Sequence, residues 1–463
     1  MTDMLWNRRS FLATAALAAP ALAMRREGAN PQQPSAAAPQ VRALRLSVRD
    51  FGARGDGTTK DTAAIQRTID RCAVLGGGEI VVPDGRYLTG ALALRANTLL
   101  RLETDAVLQG SADFADYPVT QVRWEGKWID GHIGLIHAID AQHVGIAGSG
   151  RIEGNPEVGG RPNAQSPLRH PALIEFIRCA GVHCEGFSTS YSLMWSIHPT
   201  DCEDAIFRGL TIRSTGGNGD GIDVDSCRRV WIDSCDISTG DDCIALKSGR
   251  GAEAWALRHP TEDVRITNCT LADSIFACIG IGSESSGGIR GVRIEHCRFT
   301  HAKSHAIYIK SRTGRAAFIE DISAADLDVS GTEAGFLRIN VLSSGLQDQS
   351  PVPGVEGIPA VRNFRFSNIR VKDCPVLVEA VGIHPDKPLQ GLSLRHITGT
   401  CKKGIALANA TGVDIRDIAV TGYDGPLVSV HNVKGSGLKG AQTIDGPKLP
   451  APVPAAAEPY RLK

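Results

Sequence analysis

The chain has 463 residues, 42% of them hydrophobic, 5% aromatic and 22% charged, and its 50 basic and 50 acidic side chains give a formal net charge of zero. A chain with no basic excess lacks the electrostatic footprint of a nucleic-acid or anionic-membrane binder, and no internal run of about 18 apolar residues marks a mature membrane span. The 51 glycines beside so few aromatics favour many turns and short strands over a helix bundle.

In chain order, the first feature is Asn7-Arg8-Arg9-Ser10-Phe11-Leu12, followed by an Ala/Leu-rich run to Ala23. It resembles a twin-arginine export signal, with Ala21-Leu22-Ala23 as the cleavage site. The alternative is a short membrane anchor, but the apolar run is brief and broken by Pro20. The expected organisation is a signal peptide over 1–23, a flexible Ala/Pro/Gln/Arg-rich linker over 24–44, one catalytic domain over 45–446 and a Pro/Ala-rich tail over 447–463. The protein is then exported, to the periplasm or beyond, and is expected to act as a monomer away from the membrane. Because that pathway carries folded proteins, the 12 cysteines are expected to be mostly buried thiols used as small hydrophobes. No Cys/His spacing reads as a zinc site.

Asp61 is placed to N-cap a helix whose Ile65, Ile69 and Cys72 share one face, with Gly76-Gly77-Gly78 ending it. Glu79–Val82 starts a strand and Pro83-Asp84-Gly85 turns it. Beyond this, one phrase recurs: Val-x-Ile-x-x-Cys, at Val230 to Cys235, Val264 to Cys269 and Val292 to Cys297, with weaker copies near Val144, Val182, Ala205, Ile319, Phe364, Leu392 and Val413. Alternation of apolar and polar residues within each copy is strand periodicity, and its recurrence every few tens of residues points to a solenoid of parallel strands about 4.8 Å apart. Equivalent side chains then stack into ladders, so Cys235, Cys269 and Cys297 form one and Cys179, Cys202 and Cys227 another. The helix after Asp61 caps the open end of the solenoid.

The densest carboxylate cluster lies in Asn218-Gly219-Asp220-Gly221-Ile222-Asp223-Val224-Asp225 and Gly240-Asp241-Asp242-Cys243-Ile244-Ala245-Leu246-Lys247. Aligning Ile222 with Ile244 and Val224 with Leu246 puts Asp220 and Asp242 on one rung of adjacent coils, with Asp241 beside them. Three carboxylates this close cannot all ionise at their usual pKa, which leaves a proton donor next to a base. Glycoside hydrolysis requires that pair; a calcium site or a solvated acidic turn is the other reading of the spacing.

These phrases resemble glycoside hydrolase family 28, the polygalacturonases. The likeness includes Asp50-Phe51-Gly52-Ala53-Arg54-Gly55-Asp56-Gly57, Trp195-Ser196-Ile197-His198-Pro199, the two acidic phrases, Ile281-Gly282-Ser283-Glu284 and Ile309-Lys310-Ser311. The resemblance implies an all-β, right-handed parallel β-helix that cleaves pectic polysaccharide or oligosaccharide with inversion. The expectation includes no cofactor and no metal. By the same resemblance Asp241 is the general acid, and Asp220 and Asp242 hold and deprotonate the water. The family's Asn-Thr-Asp stands here as Asn218-Gly219-Asp220. Its Gly-His-Gly falls at Phe276-Ala277-Cys278, without the histidine, and its Arg-Ile-Lys at Tyr308-Ile309-Lys310, without the arginine.

Extending the register gives one line of Trp195, Asp220, Asp242, Ala277 and His305, and a second of Asp225, Lys247, Gly282 and Lys310. Trp195, Asn218, Lys247, His305, Tyr308 and Lys310 are therefore the expected substrate-binding residues, although Lys247 can instead pair with Asp225 and Trp195 can pack between coils. Arg312 offers a partial substitute for the absent arginine. A phenol donates a single hydrogen bond where a guanidinium offers a fork, so Tyr308 predicts weaker use of plain polygalacturonan than of chains carrying neutral or branched sugars. A polysaccharide lyase on the same fold and a non-catalytic glycan-binding β-helix are the competing readings.

Overall fold

The structure, a computed structural model, describes residues 44–454. The export signal over 1–23, the linker up to residue 43 and the last nine residues of the tail lie outside the described residues. Strands run from Arg45 to Thr443, and 32 of them form one sheet in which every ladder is parallel. Each strand pairs with its equivalent one coil earlier and one coil later: Ile174–Ile177 lies between Ile136–Ile139 and Ile197–Thr200. The fold is a parallel β-helix, as the repeating phrase predicts. No helix among the described residues is long and apolar enough to cross a membrane.

The phrase is one continuous internal rung. Val144, Val182, Ala205, Val230, Val264, Val292, Ile322, Phe364 and Leu392 are successive Cα partners, and all are buried. The copy expected near Ile319 sits three residues further on, at Ile322. Ile319 pairs instead with Ile289 on another rung, and only Ile322 has its partner Ala324 two positions on, opposite Ile294. All 12 cysteines are free and buried. In the stack of Cys179, Cys202 and Cys227, the backbone N–H of each of the first two donates to the next sulfur, at 3.4 and 3.3 Å. The coil corner before the second cysteine line needs a left-handed residue, and Ser234, Asn268 and His296 supply it with φ near 55°. Short polar side chains and His tolerate that conformation best after glycine.

The helix Thr62–Val74 caps the solenoid, burying Ala64, Ile65, Thr68, Ile69 and Cys72. Asp61 precedes it but does not cap it with its side chain. Its carboxylate instead accepts the backbone N–H groups of Arg54 and Gly55, at 2.7 and 2.9 Å. Both of its oxygens are committed to that turn, so the expected side-chain cap is replaced by a loop anchor. Gly77 N–H returns to Cys72 O at 2.9 Å and closes the helix.

One sheet of the solenoid matters for function. Its inward rung is Ile136, Ile174, Ile197, Ile222, Ile244, Ile279, Ile307 and Leu337. The next residue of each strand points outward, giving His137, Glu175, His198, Asp223, Ala245, Gly280, Tyr308 and Arg338. Over the early part of this outer face lies an antiparallel hairpin, Val119–Trp124 with Lys127–His132. Arg123 on the hairpin pairs with Asp225 at 3.0 Å, and Arg169, on the following loop, pairs with Glu175 at 3.0 Å. The hairpin tip is fastened by Arg250 N–H donating to Gly126 O (3.0 Å) and by Lys127 with Asp348 (3.2 Å). On this part of the face Glu175, His198, Asp223 and Asp225 are fully buried, whereas Arg338 keeps 34% of its side chain exposed. The face is therefore covered at one end and open at the other.

Candidate active site

At the edge of the roof, Asp220, Asp241 and Asp242 each bring a carboxylate oxygen within 4.8 Å of the others. The backbone confirms the shared rung: Ser196 N–H donates to Asp220 O, Gly221 N–H to Asp242 O, Cys243 N–H to Ala277 O and Cys278 N–H to His305 O. The line Trp195, Asp220, Asp242, Ala277, His305 is the register in the structure. Two glycines make room for the cluster. A Cβ on Gly240 would lie 2.0 Å from Gly216 O, and one on Gly280 would lie 2.2 Å from Asp242 Oδ2.

The three carboxylates have different partners. Asp242 Oδ2 takes an ion pair from Lys310 Nζ at 2.7 Å, and its Oδ1 accepts Ala277 N–H at 3.1 Å. Asp220 meets Lys247 Nζ at 3.5 Å; burial raises its pKa, with Lys247 pulling the other way. Among the described residues Asp241 forms no ion pair, and its Oδ1 accepts Asp242 N–H at 2.9 Å. Burial first, and then the charges of Asp220 and Asp242, push its carboxyl up to about 8. At neutral pH Asp241 is thus a carboxylic acid beside an ion-paired carboxylate. Two ammonium groups already stand where a cation would bind, which disfavours the calcium reading.

Lys247 does not pair with Asp225. Its Nζ lies 2.6 Å from Asp223 Oδ1, and Asp225 belongs to Arg123. Desolvation opposes the charge on Lys247, but Asp223 and Asp220 outweigh it and its pKa rises; burial drives Asp223 upward as well. The remaining expected residues are more enclosed than their proposed roles require. Trp195 is 1% exposed, with Lys247 Nζ 4.3 Å from its ring centre and the His198 ring centre at 4.5 Å. Asn218 is buried, with Nδ2 donating to Met194 Sδ at 2.9 Å and Oδ1 accepting from Arg161 at 3.4 Å. His305 is 1% exposed, and burial, then the charge of Arg338, depress its pKa to about 4. The Tyr308 hydroxyl is engaged with Ser344 Oγ at 2.8 Å. Arg312 turns its guanidinium to Gly345 O.

Sequence reasoning missed Asp223, the roof pairs, Phe276 and Arg338. Asp223 faces outward by the same alternation that puts Ile222 inward. Arg338 emerges from one more step of the register, since Leu337 and Ile339 repeat Ile307 and Ile309. A separate groove of about 820 Å3, bordered by Asn268, His296, Arg298, Asp326 and Arg370, contains none of the triad.

A parallel β-helix with a protonated carboxyl beside lysine-held carboxylates defines a glycoside-cleaving enzyme. The sequence profile described as glycosyl hydrolases family 28 matches residues 72–338, and the chain belongs to that family. A probable polygalacturonase of Vitis vinifera is 29% identical over 370 residues, covering 77% of this chain and 74% of its own. An exo-poly-alpha-D-galacturonosidase of Dickeya chrysanthemi is 27% identical over 309 residues, and the match spans 49% of that protein. The crystal structure of a hyperthermoactive exopolygalacturonase from Thermotoga maritima superposes with a TM-score of 0.69 at 26% identity, covering 83% of this chain and 93% of that one.

Proposed function

We propose that the chain hydrolyses the galacturonan of pectin, with Asp241 as general acid and Asp220 and Asp242 as the pair that positions and deprotonates water. The observation that carries this reading is the difference in surroundings: Asp241, without an ion-pair partner among the described residues, is pushed up to about 8, while Asp242 Oδ2 has Lys310 Nζ at 2.7 Å. The water oxygen bonds to the anomeric carbon as its proton passes to the Asp220/Asp242 pair. The glycosidic bond breaks, and the leaving oxygen takes the proton of Asp241. Lys310 stands 2.7 Å from Asp242 and Lys247 3.5 Å from Asp220, so each member of the basic pair has an ammonium beside it. The decisive assay is release of reducing ends from polygalacturonan, rhamnogalacturonan and xylogalacturonan. An unsaturated, ultraviolet-absorbing product would mean elimination, and no product from any of them would favour a non-catalytic glycan binder.

Attack at a chain end is part of the proposal. The outer face on the hairpin side of the triad is closed, with Glu175, His198 and Asp223 buried and Arg169 and Arg123 paired with Glu175 and Asp225, and two of the relatives above are named as exo-acting. One product size from the first minutes, without a ladder of intermediates, is the expected pattern. For stereochemistry the resemblance implies inversion, and Asp220 and Asp242 on one rung can share a single water. The alternative is direct carboxylate attack through a covalent sugar intermediate, which would retain the anomeric configuration. Proton NMR of the first-formed anomer separates the two. Export by the twin-arginine route is also proposed, on Arg8 and Arg9; replacing both with lysine should leave precursor in the cytoplasm, and normal export would refute it.

A further inference from the structure

On the open side of the triad, the outer face carries an aromatic and cationic strip. Lys310 Nζ, bound to Asp242, sits 4.3 Å from the ring centre of Phe276. Phe276 is 36% exposed and lies 5.8 Å, centre to centre, from Tyr308. The Arg338 guanidinium lies 5.3 Å from the Tyr308 ring centre, one coil further on.

Arg338 is poorly satisfied where it stands. Its Nε is buried with no hydrogen-bond partner among the described residues, and its carboxylate neighbour Glu379 is at 3.6 Å. On the preceding rung His305 Nε2 is also buried and without a partner. Two unpartnered polar nitrogens thus lie beside Tyr308. A guanidinium seated on an aromatic ring is held in one plane, and its fork matches a carboxylate. Phe276 offers a flat apolar face, the surface on which a sugar ring stacks.

We infer that Phe276 and Arg338 form a uronate-binding subsite on the open side of the triad, with Phe276 under the sugar ring and Arg338 on its carboxylate. This rests on the galacturonan reading and deepens it: the cation absent at Tyr308 is supplied from the next coil, about 4.8 Å along the axis. A free uronate is the preferred occupant. Tyr308 serves as the platform for Arg338, not as the residue that holds the sugar.

The test uses trigalacturonate and its methyl ester. A charge-assisted bidentate contact predicts a drop of about 10- to 100-fold in kcat/KM for Arg338→Gln on the free acid, carried mainly by KM. The loss on the ester should be at least tenfold smaller. Arg338→Lys, which keeps the charge but not the fork, should fall between. Phe276→Ala should weaken both substrates alike. Titration of trigalacturonate into Asp241→Asn protein, with and without Arg338→Gln, reads binding apart from turnover. Equal losses on acid and ester, or unchanged binding in the double variant, would overturn the subsite while leaving the galacturonan reading intact. Wild-type protein that neither cleaves nor binds trigalacturonate would overturn both.

Discussion

Asp241→Asn should make the enzyme nearly inactive and, at neutral pH, more stable. In the folded chain the Asp241 carboxyl is pushed to about 8, against about 3.9 when unfolded. Below pH 4 both states hold the proton and the group contributes nothing to the difference. Between pH 4 and 8 the folded state keeps a proton that the unfolded state has released, so stability falls as pH rises, and the penalty is complete above 8. At pH 7 the gap is about 3 units, or about 4 kcal/mol at 1.36 kcal/mol per unit. Sharing of the charge within the triad and partial screening reduce this to about 2 kcal/mol. For a chain of this length that is about 3 °C in Tm. Asparagine keeps the shape and accepts the Asp242 N–H bond without carrying charge. Thermal melts of both proteins from pH 4 to pH 8.5 are the assay. The curves should meet near pH 4 and separate steadily towards 8, while turnover of the variant drops about 10²- to 10⁴-fold. Parallel curves, or a variant less stable at pH 7 than at pH 4 relative to wild type, would refute the assignment of the proton to Asp241.

Two further substitutions test the scaffold. Gly280→Ala places a Cβ 2.2 Å from Asp242 Oδ2, which must push the base off its lysine; turnover should fall about 100-fold or more with the circular-dichroism spectrum intact, and wild-type rates would show that the seat is not needed. Arg123→Met strands Asp225 in the interior and should cost about 3–5 kcal/mol in a denaturant melt. If the hairpin then lifts, intermediate-length products should join the end product on polygalacturonan; an unchanged product pattern from a demonstrably loosened hairpin would count against the closed end.

Much of this was legible because a β-helix repeats its arithmetic. Ile222 over Ile244 and Val224 over Leu246 align two coils without gaps, and that alignment alone puts Asp220 over Asp242. The same rule carried on correctly to Ala277 and His305. What it could not supply was depth: a register says which side chains stack, not which are roofed. Trp195 and His305 are on the expected line yet enclosed, because the covering residues come from elsewhere in the chain. The hairpin itself had a readable signal. Glu125-Gly126, both at positive φ, is the two-residue turn that joins antiparallel strands, and Val122, Trp124, Trp128 and Ile129 flank it. Asp61 failed as a side-chain cap for a similar reason, since the turn at Arg54 and Gly55 competes for the same oxygens.

The stacked cysteines have a practical corollary. Twelve thiols, all buried and none cross-linked, are silent towards a polar thiol reagent for as long as the coils remain closed. Burial also raises the pKa of Cys184, Cys202 and Cys374, so these sulfurs are poor nucleophiles while they stay enclosed. Because the cysteines are spread from Cys72 in the cap to Cys401 in the late coils, the order in which they become labelled in rising denaturant traces how the solenoid unzips. Simultaneous labelling would mean that the coils part as one cooperative unit; a gradient from either end would locate the weaker terminus.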